Sequence, residues 1–237
     1  MDTRKGIPKK ITPDCLVDSI IEFTIETDYK DEFIERIVRE SLIKSYPEDE
    51  FRSFPVYGKD EGKHFLANSK FRIFICSSLI SINIVNKYPG WDVLNRFIKD
   101  ALQGLYNAEN PVIKFQQVRI NYVNRFSQIS IFDVWDGNPI KLNQIPAFLG
   151  REFSFNFSIL SKENQLLANA NVKLNDQLPI EDGKGVYSRI YVALQAVKGD
   201  GNWSTVYEQL QLLHKNEKEV FFRLLSKEFV DKLNPEW

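Results

Sequence analysis

The side chains with the greatest potential for chemistry lie close together, in the segment 119–126. Four of them can form strong hydrogen bonds: Arg119, Asn121, Asn124 and Arg125. In a regular strand Arg119, Asn121 and Arg125 share one face. Tyr122 and Asn124 then lie on the opposite face. Because guanidinium groups form paired hydrogen bonds with carboxylates and phosphates, this pattern suits the binding of an anion.

A structural interpretation of the same residues is simpler. Buried arginines need partners, and salt bridges to acidic strand residues such as Glu22 or Asp133 would supply them. We favour such a polar network over a binding site. The candidate residues are the same under either interpretation: Arg119, Tyr122, Asn124 and Arg125.

Other kinds of catalytic or metal site have no pattern in the sequence. The two histidines and two cysteines show none of the short spacings that bind metal ions. His214 follows Leu210 by four residues in a predicted helix, which favours a partly buried packing role. No Gly-x-Ser-x-Gly motif is present, and the glycines of 182–185 lie between two predicted strands, as in a hairpin turn. We therefore favour a protein that is not an enzyme, and predict no catalytic residues, no metal and no cofactor.

Basic and aromatic side chains occur together in two predicted strands, at 70–74 and 119–126. Proteins that bind single-stranded RNA or DNA stack bases on such aromatic side chains. However, Phe71 and Ile73 share a face with Ile75, which is typical of a core. The net charge of -1 also lacks the basic excess of nucleic-acid-binding proteins, so nucleic acid is a less favoured partner.

The periodicity of apolar residues predicts an α+β fold. Apolar and polar residues alternate in most predicted strands, which indicates a twisted, mainly antiparallel sheet. Apolar residues recur at helical spacing in the segments that we predict as three main helices. The predicted strands are 15–26, 51–57, 71–75, 80–84, 112–126, 153–159, 166–174 and 186–197; the predicted helices are 31–46, 91–106 and 204–233, with a short helical piece at 140–149.

The two halves of the chain share one order of elements. Each half has a strand, a helix, antiparallel strands and a helix that begins at a turn with Gly and Trp, namely Gly90-Trp91 or Gly201-Asn202-Trp203. A duplication into pseudo-symmetric halves, 13–110 and 111–237, would explain this order. The common alternation of hairpins and helices in α+β proteins would explain it equally. Under both interpretations the two tryptophans are predicted to be core anchors.

We expect residues 13–237 to form one domain after a flexible polar segment, 1–12. Acidic residues interrupt the apolar run that follows this segment, so it does not read as a signal peptide. No run of about 18 apolar residues is present, which argues against a membrane helix. Cys15 and Cys76 lie in apolar strands, as free thiols do in a reducing compartment, so we expect a cytoplasmic protein.

Several short motifs are spread along nearly the whole chain: Ile7-Pro8-Lys9-Lys10 with Leu16-Val17-Asp18-Ser19-Ile20-Ile21-Glu22-Phe23, Tyr88-Pro89-Gly90-Trp91, Tyr122-Val123-Asn124-Arg125-Phe126, Leu213-His214 and Phe221-Phe222. In their order and spacing they resemble the motifs of a sporadically distributed, functionally uncharacterised family of prokaryotic proteins of about this length. The family usually has a basic residue before the aromatic of the motif at 122–126, where this chain has Asn121. The resemblance implies a gene on a mobile or defence-related island and implies no activity.

Three functions are open on this basis. The favoured one is a non-enzymatic interaction or regulatory protein, an accessory or neutralising partner in a bacterial defence, toxin–antitoxin or mobile-element cassette. Such a protein would act through a protein partner, with a homodimer as one form, and without a membrane. The second is a sensor that binds a small anion such as a nucleotide through Arg119, Tyr122 and Arg125. The third is an enzyme that uses carboxylates and arginine alone, which requires Asp or Glu clustered around Arg125.

Overall fold

The computed structural model describes residues 6–8, 11, 15–55, 64–85, 87–106, 112–130, 134, 152–179 and 185–236. These residues form an α+β fold with a large antiparallel sheet, as the periodicity predicts. Their strands are β1 (Leu16–Glu26), β2 (Arg52–Pro55), β3 (His64–Ala67), β4 (Phe71–Cys76), β5 (Leu79–Ile84), β6 (Lys114–Ser127), β7 (Glu152–Leu160), β8 (Leu166–Pro179) and β9 (Val186–Ala196). Their helices are α1 (Asp31–Ser45), α2 (Trp91–Tyr106), α3 (Trp203–Leu224) and α4 (Lys227–Lys232).

The chain divides into two compact units. The first unit comprises Met1–Val17, Asn121–Leu194 and Leu212–Trp237, and the second comprises Asp18–Ile120 and Gln195–Gln211. Strands β1, β6 and β9 and helix α3 therefore contribute residues to both units. The duplication into halves that the element order suggests stays a prediction.

In the second unit the strands follow the order β2-β3-β4-β5-β1-β6. Strands β4 and β5 form the predicted hairpin, in which Cys76 pairs with Leu79 across a two-residue turn. Strand β1 pairs with β5 in antiparallel register, with Phe23 opposite Ile80. The side chains of Phe23 and Ile80 are wholly buried, so the apolar alternation of these strands does build a core.

Helices α1 and α2 of the second unit approach each other closely at Gly104. A Cβ atom at this position would lie 2.6 Å from Oγ of Ser41 and 2.7 Å from Cγ2 of Ile37. The absence of a side chain at position 104 therefore permits the contact. On the same helices Val38 and Leu102 are completely buried, as the apolar stripes predict.

Trp203, at the start of α3, anchors an aromatic cluster in the second unit. Its ring stacks on Tyr106 with 4.5 Å between centroids and contacts Phe115 at 4.9 Å and Phe23 at 5.9 Å. Aromatic side chains bury large apolar areas, so this cluster contributes strongly to the core. Trp203 therefore packs against the buried Phe23 and Phe115, although Trp203 and the other predicted anchor, Trp91, stay partly exposed themselves.

In the first unit the strands follow the order β6-β9-β8-β7. Strands β7 and β8 are antiparallel, with Phe155 opposite Val172 and Asn156 opposite Asn171. Because side chains alternate between the two faces of a sheet, the phenylalanines of β7 share a face with apolar residues of β8. The opposite face of the two strands carries polar side chains.

The prediction of one continuous helix over 204–233 is wrong. Helix α3 ends at Leu224, and α4 begins at Lys227 after a break at Leu225 and Ser226. Oγ of Ser226 accepts a hydrogen bond from the backbone N–H of Phe229 at 3.2 Å, which caps α4. The apolar spacing continues through the break because both helices bury a face, so the periodicity alone did not reveal it.

Val17 is a second departure from the predicted pattern. By alternation it shares the face of Ser19, Ile21 and Phe23, which are buried, yet it is 51% exposed. The predicted flexible segment 1–12 and hairpin turn 182–185 lie largely outside the described residues, and the helical piece 140–149 lies wholly outside them. None of the described helices has the length and apolarity required to cross a membrane.

Candidate binding surface

Strand β6 carries all four candidate residues and separates them onto opposite faces of the sheet. Tyr122 and Asn124 are buried with Val118, Ile120 and Phe126 on the apolar face. Arg119 and Arg125 lie on the other face and are partly exposed. The predicted alternation is therefore regular along the strand, and the two arginines do not share a face with Tyr122.

Tyr122 contacts His214 of helix α3 inside the first unit. Its hydroxyl lies 3.2 Å from Nδ1 of His214, within hydrogen-bond distance. Burial, together with the positive charge of Lys218, lowers the pKa of His214 to about 4. At neutral pH the imidazole is therefore uncharged, which suits the partly buried packing role predicted for it.

The next turn of α3 carries a second ionisable group with a perturbed pKa. Glu217 is only 3% exposed, and burial raises the pKa of its carboxyl group well above the ordinary value, against the opposing effect of Lys218. Burial also lowers the pKa of the neighbouring Lys218 ammonium group. This pattern of burial indicates a packed helix face rather than a cleft.

Asn124 holds Cys15, which directly precedes β1, against β6. Its Oδ1 accepts a hydrogen bond from Sγ of Cys15 at 3.3 Å, and the backbone N–H of Arg125 donates to the carbonyl oxygen of Cys15 at 2.8 Å. Cys15 and Cys76 are both buried and free, as predicted. The side chain of Asn124 therefore acts within the fold, not at a surface.

Arg125 lies on the opposite face from Tyr122, above an aromatic ring of β9. Its Cζ atom is 4.0 Å from the centroid of Tyr187, which is the geometry of a cation–π contact. Within the part of the chain that the structure describes, Nε of Arg125 is buried and has no hydrogen-bond acceptor. The guanidinium group is thus held in place by stacking, with one donor left over.

Arg119 behaves differently, although it shares the sheet face of Arg125. Its Nε lies 3.7 Å from Oε2 of Glu22, and the two side chains are 42% and 27% exposed. This is the salt bridge to Glu22 that the structural interpretation predicts. Partly exposed ion pairs of this kind contribute at most about 1 kcal/mol to stability.

A larger polar surface of the first unit surrounds Arg125, and we call it the polar sheet face. Its members are Asn121, Arg125, Glu152, Ser154, Asn156, Ser158, Asn169, Asn171, Lys173, Asn175, Tyr187, Arg189 and Tyr191. This set contains three cationic side chains, Arg125, Lys173 and Arg189, and one carboxylate, Glu152. The polar sheet face is therefore positive although the whole chain is not.

Hydrogen bonds between strands order the side chains of the polar sheet face. Asn175 accepts from the guanidinium group of Arg189 at 3.1 Å and donates to Glu152 at 2.8 Å. Asn171 donates to Asn156 at 2.7 Å. The hydroxyl of Tyr191 donates to Oδ1 of the buried Asn121 at 2.7 Å.

Sequence reasoning found only part of this surface. The alternating polar residues of β7 and β8 were visible as the outer positions of two strands, but nothing marked them as neighbours of Arg125. That neighbourhood depends on β9 lying between β8 and β6, which periodicity along one strand does not encode. A search for polar residues repeated at every second position of adjacent strands would have found it.

The described residues contain no group of three or more His, Cys, Asp or Glu side chains that could hold a metal ion.

No family model matches this sequence, and no curated protein matches it either. The geometry of the polar sheet face is therefore the main guide to function.

Proposed function

We propose that this protein is a non-enzymatic binding protein that docks an acidic surface of a protein partner on the polar sheet face. The supporting observation is the composition of that surface, which combines Tyr187, Tyr191 and Arg125 with a net excess of positive charge. Tyrosine and arginine are the residues enriched at protein interfaces and at their energetic centres. A positive surface also attracts an acidic partner during encounter.

The order within the polar sheet face supports the same function. Side chains that are already hydrogen-bonded to one another, such as Asn171 with Asn156 and Arg189 with Asn175, lose little conformational freedom on binding. Asparagine, serine and tyrosine together form the kind of adaptable polar surface that antibodies use. Docking on this face would therefore require little rearrangement of the free protein.

Arg125 would make the strongest single contact. Its guanidinium group is held over Tyr187, and its buried Nε could donate to a carboxylate that the partner brings. A buried charged donor without an acceptor costs stability in the free protein, and an acceptor gained in the complex would remove that cost and so add to affinity. We expect Arg125 to be an energetic centre of the interface.

The identity of the partner is a further part of the proposal. The resemblance noted in the sequence supports an accessory or neutralising role in a defence, toxin–antitoxin or mobile-element cassette. The partner would then be encoded beside this protein. Its docking surface should be rich in Asp and Glu.

The test begins with affinity purification of the tagged protein from its native host, with mass spectrometry of proteins, nucleic acids and small molecules together. A stoichiometric protein partner is the expected result. Binding is then measured by calorimetry for R125Q and for R119Q, which removes the same charge from the same strand. We expect R125Q to weaken binding about tenfold or more and R119Q to change it little. Equal effects of the two variants, or no protein partner, would contradict the proposal.

A nucleotide or single-stranded nucleic acid is a second candidate ligand, favoured by the stack of Arg125 on Tyr187. Arginine planes and tyrosine rings both stack on bases, and a guanidinium group also binds phosphate. A thermal-shift screen of nucleotides and a fluorescence-polarisation titration with a mixed-sequence oligonucleotide would reveal this function. Binding that weakens steeply with salt, and that R125Q abolishes, would favour it over a protein partner.

A further inference from the structure

Strand β7 is the last strand in the order of the first unit. It runs for nine residues, and its hydrogen-bonded neighbour among the described strands is β8 alone. Natural sheet edges are usually short or carry Lys, Pro or a bulge, which prevents pairing with another chain. Strand β7 has no Lys, Arg or Pro, and its register irregularity falls only at its end, between Ile159 and Leu160.

The other terminal strand shows the usual protection. Strand β2 has only four residues, and these include Arg52 and Pro55. This difference in length and composition indicates that the outer edge of β2 is protected from pairing with another chain and that the outer edge of β7 is not.

The apolar side chains of β7 are also incompletely covered. Phe157 is 38% exposed and Leu160 is 51% exposed, and Phe153, Phe155 and Ile159 are partly exposed. Aromatic side chains that alternate along a strand whose outer edge no described strand covers are typical of a surface that another strand extends.

The sequence of β7 reads nearly the same in both directions around Asn156. From Phe153 to Ile159 it is Phe-Ser-Phe-Asn-Phe-Ser-Ile. An antiparallel strand of the same sequence, centred on Asn156, places Phe155 opposite Phe157 and Ser154 opposite Ser158. Such self-complementarity about a twofold axis is what an isologous interface between identical subunits requires.

We propose that β7 pairs with β7 of a second copy of this chain, in antiparallel register centred on Asn156, so that the sheet continues from one subunit into the next. From Phe153 to Ile159 the register joins apolar side chains to apolar side chains on one face and polar to polar on the other. The two Glu152 carboxylates, the only charges in the strand, lie opposite Leu160 at the two ends, about 26 Å apart. No like charges therefore oppose each other.

Disulfide trapping in the full-length protein tests the register. Antiparallel partners lie about 4.5–5.5 Å apart between Cα atoms, within the range of a disulfide. We expect N156C to form a covalent dimer on mild oxidation. S154C and S158C should each stay monomeric, because equivalent residues are then about 13 Å apart. A mixture of S154C and S158C should form the mixed dimer. The native cysteines are buried, so the wild type should remain uncrosslinked.

A charge variant tests the pairing without a crosslink. Ser154 and Ser158 are exposed, so charged residues there should not disturb folding, which circular dichroism verifies. In S154K/S158K like charges oppose each other at both pairs, and we expect the dimer to dissociate at about tenfold higher concentration in analytical ultracentrifugation. In S154K/S158E opposite charges meet, and the dimer should return.

Three results would overturn the proposal. One is a wild-type protein that is monomeric at all concentrations, with N156C uncrosslinked. Another is crosslinking of S154C alone, which would indicate a different register. The third is a dimer that S154K/S158K leaves unchanged, which would indicate a different surface. These outcomes report the oligomeric state, whereas the function proposed for the polar sheet face is tested by capture of a partner and by R125Q, so the two proposals can fail separately.

Discussion

The hydroxyl of Tyr122 lies 3.2 Å from Nδ1 of His214, which joins strand β6 to helix α3 within the first unit. The imidazole is largely buried, and its pKa is lowered to about 4 because burial disfavours the charged form. The pair therefore favours a neutral histidine, and the acid stability of the protein should reflect this.

Acidification should destabilise the protein through His214. The unfolded chain takes up the proton near pH 6.5, whereas the folded state takes it up only near pH 4. The contribution of the neutral imidazole to the free energy of unfolding is fully present above pH 6.5. It falls by about 3 kcal/mol as the pH decreases from 6.5 to 4. Urea unfolding of the wild type and of H214Q at pH 7 and pH 4 measures it. H214Q cannot titrate and should lose less stability, so identical losses in the two proteins would contradict the assignment.

The buried carboxyl group of Glu217 should have the opposite pH dependence. The pKa of this carboxyl group is raised in the folded state. The free energy of unfolding is therefore highest at low pH and falls as the pH rises above about 4.5, the pKa of glutamate in the unfolded chain. E217Q removes this ionisation and should be more stable than the wild type at pH 8. The difference should vanish near pH 4. Urea unfolding across this range would show it, and an E217Q protein that is less stable at pH 8 would argue that the ionised carboxylate is the native form.

Ser226 should stabilise α4 through its cap. S226A removes the acceptor for the backbone N–H of Phe229 and should cost about 1 kcal/mol in the free energy of unfolding. S226D provides another acceptor near the positive end of the helix and should be close to the wild type. Chemical denaturation of the three proteins compares them. A loss in S226D as large as that in S226A would mean that the hydroxyl group has another role.

Gly104 should resist substitution even by alanine. A methyl group would meet Oγ of Ser41 and Cγ2 of Ile37 at less than 3.0 Å. Alanine favours helices by about 1 kcal/mol over glycine, but overpacking costs about 1–3 kcal/mol. We expect G104A to lower stability by about 1 kcal/mol. Combining it with S41A should recover part of the loss, and a double-mutant cycle measures that coupling. A stabilised G104A protein would show that the two helices can move apart freely.

The contact between Arg125 and Tyr187 should contribute a small coupling energy. A double-mutant cycle of R125M and Y187L should give about 0.5–1 kcal/mol, the range for a partly exposed cation–π pair. The matched comparison is a cycle of R119M, on the same strand as Arg125, with E22Q on β1. The coupling energy of that pair should fall as salt is added. A coupling energy of zero between Arg125 and Tyr187 would contradict the cation–π contact.

The sequence predicted most of the elements because burial imposes a period on each of them. The predicted bounds of β1, β7 and α2 lie within a residue or two of those observed, because apolar residues alternate in the two strands and form a stripe on the helix. The break at Ser226 was missed because a capping serine in a long apolar pattern gives a weak local signal. The exposure of Val17 was missed because alternation predicts the face of a side chain but not whether a neighbouring element covers it.

The candidate site was predicted only in its central strand. The sequence placed Arg119 and Arg125 on one face of β6 and Tyr122 on the other, since the period of a strand is fixed at two. It could not show that Arg119 lies beside Glu22 while Arg125 lies on Tyr187. These partners come from different neighbouring strands, and the order of strands in a sheet depends on contacts far apart in the chain.

The two buried thiols have a practical consequence for folding experiments. Cys15 belongs to the first unit and Cys76 to the second, and each is shielded from solvent in the native protein. A pulse of alkylating reagent during unfolding would therefore label each cysteine only when its own surroundings open. Peptide mass spectrometry can then record two opening rates from one unmodified protein, and equal rates would mean that the units unfold as a single cooperative body.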